Sequence, residues 1–289
     1  MTDLTNINDI RALLARHGFK FSKALGQNFL TAAWVPERIA DAAGLDTQTG
    51  VLEIGPGIGC LTEQLAMRAG KVVSVELDER LLPILNETLS GRDNAEIVYG
   101  DVLALDIKKL VDEKMPGMRH TVCANLPYNV TGPVITRLSA MDTFESMTLM
   151  VQREAAVRIC ASPGGREYGA FTVLVQRYCD CERLFDVPPD CFVPRPKVTS
   201  SVIKLTRRER PENIKNGEMF ERVVKGAFSR RRKTLLNSLS SFFPSIPKEE
   251  LEKTLINCRI DPKRRAETLK IGEFAKIADS FCDALAQFL

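Results

Sequence analysis

The stretch "NLPYN" (125–129) closes a short apolar run, "HTVCANLPYN". Asn and Pro are turn formers, so a plain turn is one reading. The chemical reading starts from the groups themselves. The Asn125 side-chain oxygen accepts hydrogen bonds. Pro127 has a fixed φ and so holds its own carbonyl, a second acceptor, in place. Tyr128 sets an aromatic face beside both. Upstream, "VLEIGPGIGCL" (51–61) ends another apolar run and opens a helical pattern. Gly55, Gly57 and Gly59 let the backbone turn tightly and approach a ligand closely. The helix start that follows favours polar or anionic groups. Glu76 and Asp101 end the next two apolar runs, "KVVSVEL" and "AEIVYGD".

The glycine loop is not the dinucleotide fingerprint, which would read GxGxxG. It reads GxGxG with an acid, Glu53, two residues earlier. That pattern resembles S-adenosylmethionine-dependent methyltransferases, and the resemblance implies roles for the other strand ends. Glu76, 21 residues after Gly55, could accept from both hydroxyls of a ribose, or could be a surface acid. Asp101 could accept from the cofactor's adenine amino group, or could cap the helix after it. Asn125 would then lie beside the methylsulfonium. An exocyclic amine of a base is a poor nucleophile because its lone pair is delocalised into the ring. Two acceptors on its N–H hydrogens, Asn125 Oδ1 and the Pro127 carbonyl, favour a pyramidal nitrogen and free that lone pair. Tyr128 would stack on the base once it has left its helix.

These residues need a sheet to bring them together. From about residue 50 to 205, apolar runs alternate with helical spacing. The runs are "GVLEIG" (50–55), 71–77, 95–101, 120–126, "SMTLMVQ" (146–152) and "SSVIKL" (200–205). Most are apolar on both faces, as strands between two helical layers must be. Leu61, Leu65, Ala69 and then Leu81, Leu82, Leu85, Leu89 mark helices between them. The fold class expected is α/β, a Rossmann-like sheet with right-handed crossovers and a small all-α C-terminal domain. "VPPDCFVPRPKV" (187–198) reads as a stiff loop, since proline breaks strand and helix interiors. "RRERPENIKNGE" reads as a polar linker, after which only helical periodicity remains. Two domains are therefore expected, 1–206 with the glycine loop and the sheet and 207–289 as a small helical domain.

Charge splits along the same line. Residues 207–289 carry 18 Lys+Arg against 12 Asp+Glu, a net of +6, and the rest carry 22 against 25, a net of −3. A basic tail on a mildly acidic body suits a polyanion, though a solvated surface would also allow it. The eight cysteines hold no CxxC and there are only two histidines, so no metal site is expected and the thiols read as small buried hydrophobes in a reducing cytoplasm. No apolar run of about 18 residues suggests a membrane span, and the N-terminal sequence lacks a secretory pattern. No unburied apolar stripe demands a dimer, so a cytoplasmic monomer is expected.

"NLPY" behind this glycine loop resembles the adenine-N6 methyltransferases of ribosomal RNA. "KALGQNFL" (23–30), "CFVPRPKVTSSV" (191–202) and "AFSRRRKTLLNSL" (227–239) resemble, in order, the N-terminal signature, the F-x-P-x-P-x-V-x-S-x-V segment and the C-terminal basic motif of the bacterial small-subunit (16S) rRNA adenine dimethyltransferases. The match runs from about residue 17 to 275. It implies N6,N6-dimethylation of two adjacent adenosines near the 3′ end of 16S rRNA, within the small ribosomal subunit or its precursor, with S-adenosyl-L-methionine as cofactor and a part in ribosome biogenesis. It implies a cofactor pocket lined by Asn28, Leu30, Gly55, Glu76, Asp101 and Asn125, with Phe192 as a second clamp face opposite Tyr128. Phe29 reads as core. Arg230, Arg231, Arg232 and Lys233 would contact phosphates, with Leu235, Leu236 and Leu239 anchoring that helix. For Phe192 the plain alternative is a core aromatic; for 23–30, a cap and packing segment; for the basic run, a solvated helix face. Three rival functions stand beside this one: the large-subunit class that confers macrolide resistance, a DNA adenine methyltransferase, whose Asp-Pro-Pro-Tyr motif and target-reading domain are not visible here, and a non-catalytic assembly factor.

Overall fold

The computed structural model of the protein describes residues 3–22, 26–209 and 214–285. Lys23–Leu25 of "KALGQNFL" and Arg210–Asn213 of the linker lie outside the described residues. In chain order the elements are α1 (Ile7–Arg16), β1 (Phe29–Leu30), α2 (Trp34–Ala43), β2 (Thr49–Ile54), α3 (Cys60–Ala66), β3 (Lys71–Glu76), α4 (Leu82–Thr88), β4 (Ala95–Tyr99), α5 (Ile107–Lys114), β5 (Arg119–Asn125), α6 (Thr131–Ala140), β6 (Ser146–Gln152), α7 (Arg153–Ile159), α8 (Ala170–Gln176), β7 (Cys179–Val187), β8 (Phe192–Val193), β9 (Ser200–Arg207), α9 (Gly217–Phe228), α10 (Leu235–Phe242), α11 (Lys248–Asn257) and α12 (Ile271–Leu285).

Two compact units result, Met1–Ala156 with Cys181–Arg207, and Val157–Asp180 with Arg208–Leu289. The first is built on a seven-stranded sheet in the order β4-β3-β2-β5-β6-β9-β7. β2 pairs in parallel with both β3 and β5, and β6 pairs antiparallel with β9. Every residue of β2 is buried, as an inner strand covered on both faces requires. After β4 the chain returns to the other side of β2. That reversal opens a crevice at the carboxyl ends of β2 and β5, the place where such sheets bind ligands. A separate two-stranded ribbon pairs β1 with β8, Leu30 opposite Phe192.

The second unit is helical. Tyr168 and Val173 share its core with Phe220, Leu239, Phe274 and Phe281, all at most 2% exposed. Residues 157–180 differ here from the boundary expected at 206/207. Their apolar side chains share a core with α9 to α12, much later in the chain, a long-range match that local periodicity does not reveal. β7 was also unexpected. Its run "CDCERLFDV" is charged and largely exposed because it sits at the sheet edge. Among the described residues no helix is long and apolar enough to cross a membrane.

Candidate active site

The carboxyl ends of β2, β3, β4 and β5 and the segment 26–30 line one open cleft. It is open to solvent on one side, and its lining mixes the polar groups of Asn28, Glu76, Asp101 and Asn125 with apolar side chains such as Leu30 and Ile58, the mixture expected of a small-molecule site. Gly55, Gly57 and Gly59 adopt φ of 68°, 61° and 92°, a region that L side chains rarely enter. At Gly57 a Cβ would also lie 3.2 Å from the Phe29 ring. Phe29 is buried, as expected, and its ring sets the floor against which this turn is pressed.

Two carboxylates stand under the turn. Glu53 is 1% exposed and its Oε2 accepts from Thr62 and Ser74 hydroxyls, both at 2.6 Å. Its Oε1 is buried with no hydrogen-bond partner. Burial pushes its pKa up to about 7. Glu76, at the end of β3, accepts the Asp78 N–H at 2.8 Å on Oε1 and the Gly57 N–H at a long 3.4 Å on Oε2. Burial raises its pKa as well, against the pull of those N–H groups.

Asp101 is exposed at the cleft rim, and its Oδ1 accepts from the Leu103 N–H at 2.8 Å. Asp101 thus closes a local turn and does not cap the following helix, α5, whose cap is Asp106; the turn occupies one oxygen and leaves Oδ2 without a partner among the described residues. Arg137 on α6 holds the same loop, donating to the carbonyls of Val102 and Leu105 at 2.8 and 2.7 Å.

Asn125 Nδ2 donates to the Asn28 carbonyl at 3.3 Å, and Asn28 Nδ2 donates to the Gly26 carbonyl at 2.9 Å. The chain "NLPY" then turns into α6. The Pro127 carbonyl, expected as a substrate acceptor, already accepts from the Val130 N–H and the Thr131 hydroxyl, both at 3.2 Å. This corrects the expectation: a residue that ends a turn before a helix uses its carbonyl to close that turn. Leu126 also lines the cleft, and no hydrogen bond among the described residues ends on its carbonyl. The Tyr128 hydroxyl lies 2.9 Å from Ser200 Oγ, and burial raises the phenol's pKa.

Phe192, expected as an open clamp face, is 5% exposed and belongs to the core of the first unit. Pairing of β8 with β1 turns it inward, and it does not line the cleft. Leu30, its partner, is buried and does line it.

Residues 18–283 match the family model described as ribosomal RNA adenine dimethylase. The chain belongs to the ribosomal RNA adenine dimethylase family. It is 45% identical over 283 residues to a ribosomal RNA small subunit methyltransferase A of Geobacillus thermodenitrificans, covering 96% of this chain and 97% of that one. A protein of the same name from Listeria innocua is 46% identical over 281 residues, 95% of each chain. Among solved structures, a dimethyladenosine transferase from Plasmodium falciparum superposes with a TM-score of 0.72 at 26% identity, over 88% of this chain and 97% of that one. The 23S rRNA methyltransferase ErmE gives 0.66 at 27% identity, over 87% and 98%.

In this dimethylase the basic run is not a helix face. Arg230–Lys233 form an exposed turn between α9 and α10, and α10 starts only at Leu235. Leu235, Leu236 and Leu239 are buried. Arg230 Nε donates to Ser241 Oγ at 2.9 Å, and Arg231 donates to the Arg166 carbonyl. Thr234 caps α10 through the Asn237 N–H, which is why the helix begins where it does.

Three side chains with a part in the cleft's architecture escaped sequence reading. Gln27 donates to Asp78 at 2.6 Å, and Arg80 holds the same carboxylate at 2.6 and 2.8 Å, keeping its pKa below the usual range. This ties the segment before β1 to the turn after Glu76. The signal was present, since Gln27 lies inside "KALGQNFL" and Asp78 two residues after Glu76, but nothing in either stretch names the other as partner.

Proposed function

We propose that this dimethylase transfers methyl groups from S-adenosyl-L-methionine to N6 of two adjacent adenosines near the 3′ end of 16S rRNA, in the small ribosomal subunit or its precursor. It would act as a cytoplasmic monomer, where ribosomes mature. The observation that carries the reading is convergence: the glycine turn, Glu76, Asp101 and Asn125 meet on one cleft at the reversal of the strand order.

The donor set suits this cofactor. Glu76 Oε2 has only a long bond to Gly57, so the carboxylate keeps lone pairs for two ribose hydroxyls. Asp101 Oδ2 is open to an adenine amino group, and Arg137 steadies its loop. Gly55 and Gly57 admit the backbone to close contact, and Asn28 and Leu30 border the same space. Bound there, S-adenosylmethionine would supply an electrophilic methyl group.

The acceptor side is the work of "NLPY". With Nδ2 held by Asn28, the amide of Asn125 is oriented and its Oδ1 accepts one N6–H of adenine. The Leu126 carbonyl is the second acceptor, in place of Pro127. The pair favours a pyramidal amine with its lone pair free for the methyl. No base is needed before attack, because the alkylated nitrogen is acidic and loses its proton afterwards. Tyr128 stacks on the extruded ring. A monomethylated amine keeps one N–H for one of the two acceptors, so a second transfer can follow. We retain Phe192 as a second face only if base binding uncovers it. Arg230, Arg231, Arg232 and Lys233 neutralise RNA phosphates without reading bases.

ErmE shares the fold, but the curated relatives at 45–46% identity carry the small-subunit name, which favours that substrate. The test is nuclease digestion and mass spectrometry of small-subunit RNA lacking these marks, after treatment with enzyme and cofactor. Dimethyladenosine at both positions is expected. Methylation of large-subunit RNA alone, or a halt at the monomethyl stage with excess cofactor, would overturn it.

A further inference from the structure

We propose that Ser200 is a positioning residue for methyl transfer, acting through the ring of Tyr128. The proposal rests on the reading of Tyr128 as the platform for the target base.

Ser200 is 0% exposed and is the first residue of β9. It lies opposite Gln152, the last residue of β6. β5, the other neighbour of β6, ends at Asn125 opposite Met150. The backbone of Tyr128 therefore leaves the sheet from β5, while its hydroxyl is tied at 2.9 Å to the start of β9, two strands away. A tyrosine held at Cβ and at Oη has the position and tilt of its long axis set. The rotation left to it, about that axis, does not move the ring's centre. The platform is thus in place before a base arrives, and no ordering is needed on binding.

The two partners are 72 residues apart and come from two separate motifs. Tyr128 closes "NLPY", and Ser200 is the serine of the F-x-P-x-P-x-V-x-S-x-V segment. Its neighbour Ser201 bonds instead to Asp186 at 2.6 Å, so the two adjacent serines serve different elements. Tyr128 is the one hydrogen-bond partner that the Ser200 hydroxyl has among the described residues. The position of the ring matters because the stacked base must present N6 to Asn125. A misplacement of about 1 Å in such a geometry can lower a rate by about 10²-fold.

The test is a double-mutant cycle of Ser200→Ala and Tyr128→Phe, read as the single-turnover rate of methyl transfer at saturating RNA and cofactor. Each single change removes the same bond and leaves the ring, so each should slow transfer by up to about tenfold, the range of one neutral hydrogen bond. The double variant should be no slower than the singles, and cofactor affinity by calorimetry should be unchanged. Ser200→Cys, close in size and a weaker partner, should fall between wild type and Ser200→Ala, which covers the case of a misfolded alanine variant. Additive losses, or a Ser200→Ala rate equal to wild type, would overturn the assignment. Wild-type enzyme that leaves small-subunit RNA unmethylated would instead remove the functional reading on which it stands.

Discussion

The Asn125 amide nitrogen donates to the backbone carbonyl of Asn28 across 3.3 Å, tying the end of β5 to a segment 97 residues earlier. The bond decides which way the amide faces, because it uses the donor and leaves Oδ1 as the acceptor. Asn125→Ala should lower the single-turnover rate by about 10²–10³, the usual loss for one oriented group in such a site. Thermal stability should change little, because the side chain is small and only half-buried. A near-normal rate would reduce Asn125 to a turn residue.

Glu76→Ala should weaken S-adenosylmethionine binding. Two hydrogen bonds to a charged acceptor are lost, roughly 1.5–3 kcal/mol each. Calorimetry gives the affinity directly, and an unchanged value would sink the ribose assignment. Since burial raises this carboxyl's pKa, wild-type affinity should also fall on the acid side earlier than an ordinary glutamate would allow.

Glu53 makes a separate, pH-dependent prediction. Its pKa rises from 4.5 to about 7 because burial disfavours the carboxylate. Between those values the folded chain holds a proton that the unfolded chain has released. The stability from this group is therefore full below about 4.5 and is lost as the pH rises through about 7, a change of roughly 3 kcal/mol. Glu53→Gln should remove that slope. Denaturant midpoints at pH 5 and pH 8 check it, and equal pH dependence in variant and wild type would contradict it.

Replacing Arg230, Arg231 and Lys233 with Ala should weaken RNA binding and flatten its salt dependence, by roughly 0.7–0.9 in slope for each phosphate no longer neutralised. Cofactor affinity should hold. A salt titration that superposes on wild type would leave this turn as plain surface.

Phe192→Ala should destabilise the chain by about 3–5 kcal/mol, as for other buried Phe truncations, since the ring is 5% exposed. An unchanged melting temperature with lost turnover would return Phe192 to the base clamp as an open face.

The inner strands were legible because burial on both faces leaves an apolar run. β2 to β6 and β9 fall within two residues of their runs. The strand ends were legible too, since Gly55, Glu76, Asp101 and Asn125 occur in the order that a parallel sheet places side by side. What stayed hidden depends on distant partners. Residues 157–180 look like a continuation of the alternation until Phe220 and Phe274 claim Tyr168 and Val173. The Pro127 carbonyl looked free because the bond from Val130 arises only once α6 forms. The plain alternative for the basic run, a solvated helix face, fails because Thr234, one residue after Lys233, caps α10 and leaves the run in the turn before it.

The strand order has a consequence for how the protein is made. Each strand end that carries a cleft residue, from β2 to β5, has left the ribosome once residue 125 is out. β9 lies between β6 and β7 yet is synthesised after both. A nascent chain halted before residue 200 thus has its glycine turn, both acids and Asn125, while β7 has no strand to join and Tyr128 has no anchor. Translation completes the cofactor side of the cleft first and the side that receives the base last.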